Sequence, residues 1–397
     1  MDSEEARTIG RRVKQIRYAR RKSLRVVAGL AGMSKDTLNR IERGERALDS
    51  RAEIAALANA LHVAPSDLTN LPELAASGEG EGEAVKAVRR ALKAVSRNRP
   101  DGQVFPVDAL QARVAALVIA QTAECDHDKV DRELPGLIHD LHSSTAAGRD
   151  VAGLLDLTVL LHTRGSQAWL KVMGAPVDLR SQATLLARQA AEHRDEPHAL
   201  GLAAWSDALV MLADGDFDVA QDTLDQVTVP TGTSEGTQLS GMLALCESLV
   251  AAADRRPADA EAALEHAGEL AARTGEGNAY NLGFGPVNVG LWRMSAVLEG
   301  GDHELTATIA ESLNPHAHPS RERRAAYWIN YGRAVARLRN RHDDAVMAFR
   351  RAETISPLHM RRNPFARDVL AEMLATVRRD AVGRELRGMA YRTGLPV

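Results

Sequence analysis

Lys35, Asp36, Thr37, Asn39, Arg40 and Arg43 fall within nine residues, and every one carries a hydrogen-bonding side chain. Guanidinium and ammonium groups pair with guanine edges or phosphates, and an amide pairs with adenine, so such a set addresses a nucleic-acid groove. That chemistry requires the six to share one face. Ser34 precedes them in the position of an N-cap, with Met33 just ahead as a staple. Leu38 and Ile41 lie three apart and make an apolar seam on the opposite side. Gly32 and Gly44 bracket the stretch where the chain must reverse and where the helix must end. The pattern predicts a short helix with one buried seam and one donor-rich face, the shape that a major groove accepts.

Other chemistry-bearing residues form weaker sets. His139 and His142, His316 and His318, and Cys125 with His127 are pairs, whereas a closed zinc site needs four ligands, so no metal is expected. His303-Glu304 lacks the second histidine of a zincin string, since Ala307 stands there. Gly283-Phe284-Gly285-Pro286 has the wrong glycine spacing for a dinucleotide loop. No nucleophile elbow or Walker loop occurs, so neither an enzyme nor a cofactor is expected. Asn288 and Asn330 are different. Both fall inside expected helices, where asparagine is a poor former, and each asks for a partner. With Arg293, Arg323 and Tyr327 they are candidates to grip an effector.

The elements that must position the first set precede and follow it. Ala6–Arg21 is helical in pattern, basic, with Ile9, Val13 and Ile16 inward. Ser23 caps a second helix from Leu24 to Ala31. Arg51–Leu61 repeats the apolar spacing, and Pro65 opens a fifth, short helix. Residues 1–70 hold 14 Lys/Arg against 9 Asp/Glu, net +5, which leaves the remainder of a chain of net charge −3 at −8. A basic head on an acidic body places the nucleic-acid surface in the head.

Five helices in this order, with the string SLRVVAGLAGMSKDTLNRIERGER, closely resemble the XRE-type helix-turn-helix family of phage-repressor-like regulators. The resemblance implies a lambda-repressor-like domain over 1–70 that binds a double-stranded DNA operator. It implies base-facing positions at Lys35, Asp36, Thr37 and Arg40. Ser23, Asn39 and Arg43 would face backbone phosphates, and Lys22 is expected to add a phosphate contact. Arg17 and Glu42 match a buried ion pair that ties the first helix to the recognition helix. Leu24 departs from the pattern, because many relatives carry a polar DNA contact there.

Residues 71–83, centred on PELAASGEGEGE, are too polar and too rich in glycine to bury a core and read as a flexible linker. From Ala84 to the end every strong segment has helical period. Hydrophobic residues make up 45% of the chain and aromatics only 4%, so close-packed helices of Ala, Leu and Val are favoured over sheet. The expected fold is all-α. Stretches beginning near His198, Thr237, Gly285 and Arg321 each end in a small polar turn and lead into a second apolar helix. These helix pairs resemble tetratricopeptide repeats with long loops, which implies a solenoid over 84–397. Regulators that join such a head to such a body are sensors of peptides or small molecules, and half-sites are read in pairs, so a homodimer is expected. The alternative is a DNA-tethered scaffold whose repeats hold a protein partner. Cys125 and Cys246 are far apart, the N-terminus lacks an apolar run, and no stretch is long enough to span a membrane, so a cytoplasmic location is expected. Arginine outnumbers lysine 43 to 7, as in a high-GC bacterial genome.

Overall fold

The computed structural model describes residues 8–69, 79–375 and 380–396. These residues are all-helical, with no strand among them. The head comprises α1 (Ile9–Ala19), α2 (Leu24–Leu30), α3 (Lys35–Arg43), α4 (Arg51–Leu61) and α5 (Pro65–Thr69). Thr8, Ser23 and Ser34 each cap the helix that follows, the last accepting from Thr37 N at 3.0 Å. Ile9, Val13, Val27, Leu38, Ile41, Leu57 and Leu61 are buried together as the head core. A side chain at position 10 would meet the Ile41 carbonyl oxygen at 2.1 Å, so Gly10 is what lets α1 lie directly on α3.

The body begins with α6 (Glu79–Val95), so residues 79–83 of the expected linker are helical. The rest of that stretch, up to residue 78, lies outside the described residues. Next come α7 (Val107–Ile119), extended by a π turn at Ala120–Glu124, and α8 (His127–Ala146). Then α9 (Val151–Leu160) runs through a π stretch, Leu161–Gln167, into α10 (Ala168–Val172), and α11 (Val177–Arg194) packs back on it. Leu92, Val114, Leu117, Leu134, Ile138, Leu161 and Trp169 hold this part together.

Four helix pairs follow. They are α12 (Pro197–Asp214) with α13 (Phe217–Asp225), and α14 (Ser234–Ala253) with α15 (Pro257–Thr274). After them come α16 (Pro286–Glu299) with α17 (His303–Ser312), and α18 (Arg321–Val335) with α19 (His342–Ile355). Short α20 (Pro357–Arg361) leads to α21 (Pro364–Leu374) and α22 (Ala381–Arg392). The first helices stack in a row, α12 on α14, α14 on α16, α16 on α18 and α18 on α21, and form an inner layer. Alanine at the helix crossings lets the backbones approach closely, as at Ala203, Ala244, Ala251 and Ala296.

The row curls until its later segments meet the part of the body that precedes it. Ser320 Oγ donates to the Thr122 carbonyl at 3.0 Å, Arg164 donates to the Asn281 carbonyl at 2.9 Å, and Arg362 donates to the Met173 carbonyl. The head caps the resulting ring through backbone groups. Asp368 on α21 accepts from Ile9 N at 2.8 Å and Leu48 N at 3.1 Å. Glu372 accepts from Ala47 N at 2.9 Å, and Glu299 from Arg51 N at 3.1 Å. In the other direction Arg333 donates to the Asp49 carbonyl and Arg337 pairs with the Asp49 carboxylate at 3.1 Å. Phe365 of α21 joins the head core.

Burial pushes the Asp368 carboxyl up to about 7, against the backbone N–H groups of Leu48 and Ile9, which pull it down. A raised carboxyl takes up its proton more readily folded than unfolded. Its contribution is therefore complete below about pH 4, where the unfolded group titrates, and is lost as pH rises through about 7. Asp368→Asn is expected to remove this part of the pH dependence of thermal melting. Asp368→Ala leaves two buried N–H groups unpaired and is expected to lose about 1–3 kcal/mol, with faster amide exchange at Ile9 and Leu48.

Candidate nucleic-acid interface and central cavity

The head meets the body through the start of α1, residues 47–51 and α5, which leaves α3 outward. Lys35, Asp36, Arg40 and Arg43 are exposed, Asn39 and Thr37 are half-buried, and Leu38 and Ile41 are fully buried beneath them. Ser23 is exposed at the start of α2. The Thr37 hydroxyl lies 2.9 Å from Ser34 Oγ, so it belongs to the cap as well as to the outer face. Arg43 forms an exposed pair with Glu45 at 2.6 Å, weak enough to exchange for a phosphate. Gly44 ends the helix at φ 74°, where a β-carbon would be strained.

Lys22 departs from expectation. Its ammonium donates to the Ala60 carbonyl at 2.7 Å and is half-buried, so it caps the C-terminal end of α4 rather than standing free for a phosphate. Leu24 packs partly buried against the head core, which explains an apolar residue where a polar contact was expected.

Arg17 and Glu42 form a two-pronged pair, Nε to Oε1 at 2.6 Å and Nη2 to Oε2 at 2.7 Å, with both side chains buried. The hydrogen bonds that the guanidinium donates to Glu42 hold it more firmly charged than usual. Its third nitrogen donates to the Lys22 carbonyl at 3.1 Å, so one side chain fixes α1, α3 and the turn into α2. Glu42→Ala would strand a buried cation and is expected to destabilise the protein by about 3–5 kcal/mol in denaturant titration. The double substitution Arg17→Met with Glu42→Leu is expected to recover most of that loss.

Residues 8–71 match the family of the helix-turn-helix domain. No curated protein and no solved structure matches the chain. With its buried seam, caps and outward donor face, the head is a helix-turn-helix DNA-binding domain, and the chain is a DNA-binding regulator. No helix among the described residues is long and apolar enough to cross a membrane.

Beneath the head, the curled inner layer encloses a cavity of about 540 Å³. Arg51, Ile54, Pro65 and Thr69 of the head form part of its wall, so head and body build it jointly. Among the described residues, eight arginines and Lys171 line it, against the carboxylates of Glu299 and Glu322. Glu299 pairs with Arg51, and Glu322 lies 3.9 Å from Lys171. Arg164 rises from the π stretch over the Trp205 ring at 5.4 Å, and Arg323 lies over Trp292 at 5.0 Å. Burial pushes Arg180 and Arg323 down to about 10 and lowers Arg164 as well.

Of the five candidate effector residues, Arg323 and Asn330 line this cavity. Asn330 donates to Ser295 Oγ at 3.0 Å and accepts from Arg333 at 3.1 Å. Asn288 is fully buried behind them. Its amide donates to the Leu282 carbonyl at 3.4 Å and its oxygen accepts from Arg323 at 3.3 Å, so it steadies Arg323 instead of facing a ligand. Tyr327 is buried with its hydroxyl on the Ala310 carbonyl, and Arg293 pairs with Glu261 at 2.6 Å; neither lines the cavity. Among the histidines, His142 meets His162 at 2.9 Å, and His318 bridges Gly283 and Ser320, which gives both of them structural partners. Arg51, Arg164, Lys171, Arg180, Glu299 and Arg333 were not singled out in the sequence. The one local signal is a run of cations on inner helices, visible only once those helices are known to face inward.

Proposed function

We propose that this chain is a sequence-specific transcriptional regulator whose body senses a peptide or small-molecule effector in the central cavity. The observation that carries the DNA half of the reading is α3, with its apolar seam buried and Lys35, Asp36, Arg40 and Arg43 exposed. The cavity supports the sensing half. Its wall includes head residues, so an occupant touches the DNA-reading unit and the repeats together. Differential binding to two head arrangements is what shifts an equilibrium between them.

The body is read as a degenerate tetratricopeptide-like solenoid, and the protein acts by binding, not by catalysis. A cavity of this size, walled by head and body together, suits a small ligand better than a folded partner, which favours sensing over the scaffold reading. Heads pair in a homodimer, since one module of this size buries little DNA surface and half-sites are read two at a time.

Selection of random duplexes on the purified protein is expected to enrich one motif with two related half-sites. Arg40→Ala is expected to lose about 1–3 kcal/mol of binding to that motif while leaving affinity for unrelated duplexes nearly unchanged. An unchanged preference in the variant would remove Arg40 from the reading face.

A further inference from the structure

The body cavity holds far more positive charge than its own carboxylates balance. Arg164 and Arg180 are each 8% exposed, and neither has a carboxylate within ion-pair distance among the described residues. Arg323 is half-buried and likewise has none, its one side-chain hydrogen bond going to neutral Asn288. Glu322 is drawn toward Lys171, and Glu299 is engaged by Arg51 of the head. Unspent donors converge as well. The Nε atoms of Arg164 and Arg180 and the indole nitrogens of Trp205 and Trp292 are buried without a hydrogen-bond partner, and all four side chains line the cavity. The two tryptophans are 5% and 4% exposed.

A buried guanidinium without an anion is costly, and a chain that keeps several around one cavity is built for an anion that arrives from outside. Guanidinium forks match phosphate oxygens bidentately, and every unpaired polar atom named above is a donor with no acceptor function, as a ligand rich in acceptors requires. Apolar wall from Leu209, Leu212, Leu249, Met173 and Phe365 gives an organic body somewhere to lie.

We propose that the central cavity binds an organic phosphate carrying at least two negative charges, held by Arg164, Arg180 and Arg323 with the indole N–H groups of Trp205 and Trp292. Burial lowers the pKa of these arginines, which stay charged near neutral pH, and a bound phosphate offsets that cost. Arg51 of the head lines the same cavity, so a bound phosphate also offsets the repulsion that Arg51 adds to Arg180 and Arg333. This names the effector class for the sensing role proposed above, and it rests on that reading only for its consequence at DNA.

The test uses the full-length protein without DNA, melted in matched ionic strength with sodium pyrophosphate, adenosine 5′-diphosphate, succinate or sodium chloride. Both phosphate probes are expected to raise the melting temperature saturably, and succinate and chloride are not. Arg180→Met is expected to melt no lower than wild type without ligand, since it removes a buried charge with no carboxylate partner. Arg323→Gln keeps an amide donor for Asn288 and is expected to melt near wild type. Each is expected to bind pyrophosphate at least tenfold more weakly by calorimetry. Arg188→Gln, on the exposed face of α11, serves as the control and is expected to bind like wild type. No response to either phosphate probe, an equal response to succinate, or full affinity in both cavity variants overturns the assignment. If one cavity variant does not fold, the other decides. Should the protein select no duplex yet respond to pyrophosphate, the regulator reading fails and the site stands. The reverse outcome removes the site and leaves the regulator.

Discussion

The arrangement of this molecule depends on where a few backbone N–H groups of the head find their acceptors. The N–H groups of Ile9, Ala47, Leu48 and Arg51 stand at the start of α1 and between α3 and the start of α4, and each is taken by a carboxylate of the body: Asp368, Glu372 or Glu299. A buried N–H left without a partner costs about as much as a lost hydrogen bond, so these contacts fix position and orientation as well as affinity. Asp368 accepts two of them at once from segments on either side of the recognition helix. The geometry leaves the buried face of the head on the ring and the donor-rich face of α3 in solvent.

That seating also explains the charge of the interior. The head brings Arg51 into contact with Glu299, and Arg333 answers with its bond to Asp49. Of the two carboxylates on the cavity wall, Glu299 is thereby taken up by the head and Glu322 lies beside Lys171 of the body, while Arg164 and Arg180 keep donors without acceptors. The net acidity of the body thus gives no hint of its interior. Its negative charge is spread over outer surfaces such as Glu261 and Asp259, while positive charge is concentrated within the curl of the inner helices.

The head was legible because its rules are local. Ser34, Leu38, Ile41 and Gly44 specify cap, seam and stop within one helix, and the Arg17–Glu42 pair followed from a recognisable string. The helix pairs were legible for the same reason, since each polar turn sits between two apolar helices, and the starts near His198, Thr237, Gly285 and Arg321 fall within a few residues of α12, α14, α16 and α18. Three features were not legible. The π stretch at Leu161–Gln167, which aims Arg164 inward, has no signature apart from its packing. Asn288, a poor helix former, does need a partner, but the partner is Arg323, a contact set by burial between α16 and α18. Lys22 looked like a free surface cation until α4 placed the Ala60 carbonyl beside it. In each case the deciding contact joins residues that no local pattern relates.

The head and the body form one unit with α3 turned outward. Spin labels at Lys14 on α1 and Glu265 on α15, in a chain with Cys125→Ser and with Cys246 left buried, report that relation directly by pulsed dipolar distance measurement. A seated head gives a single narrow distance distribution in the absence of DNA and ligand. A broad distribution, as from a head swinging on a tether, would contradict the jointly built cavity and everything argued from it.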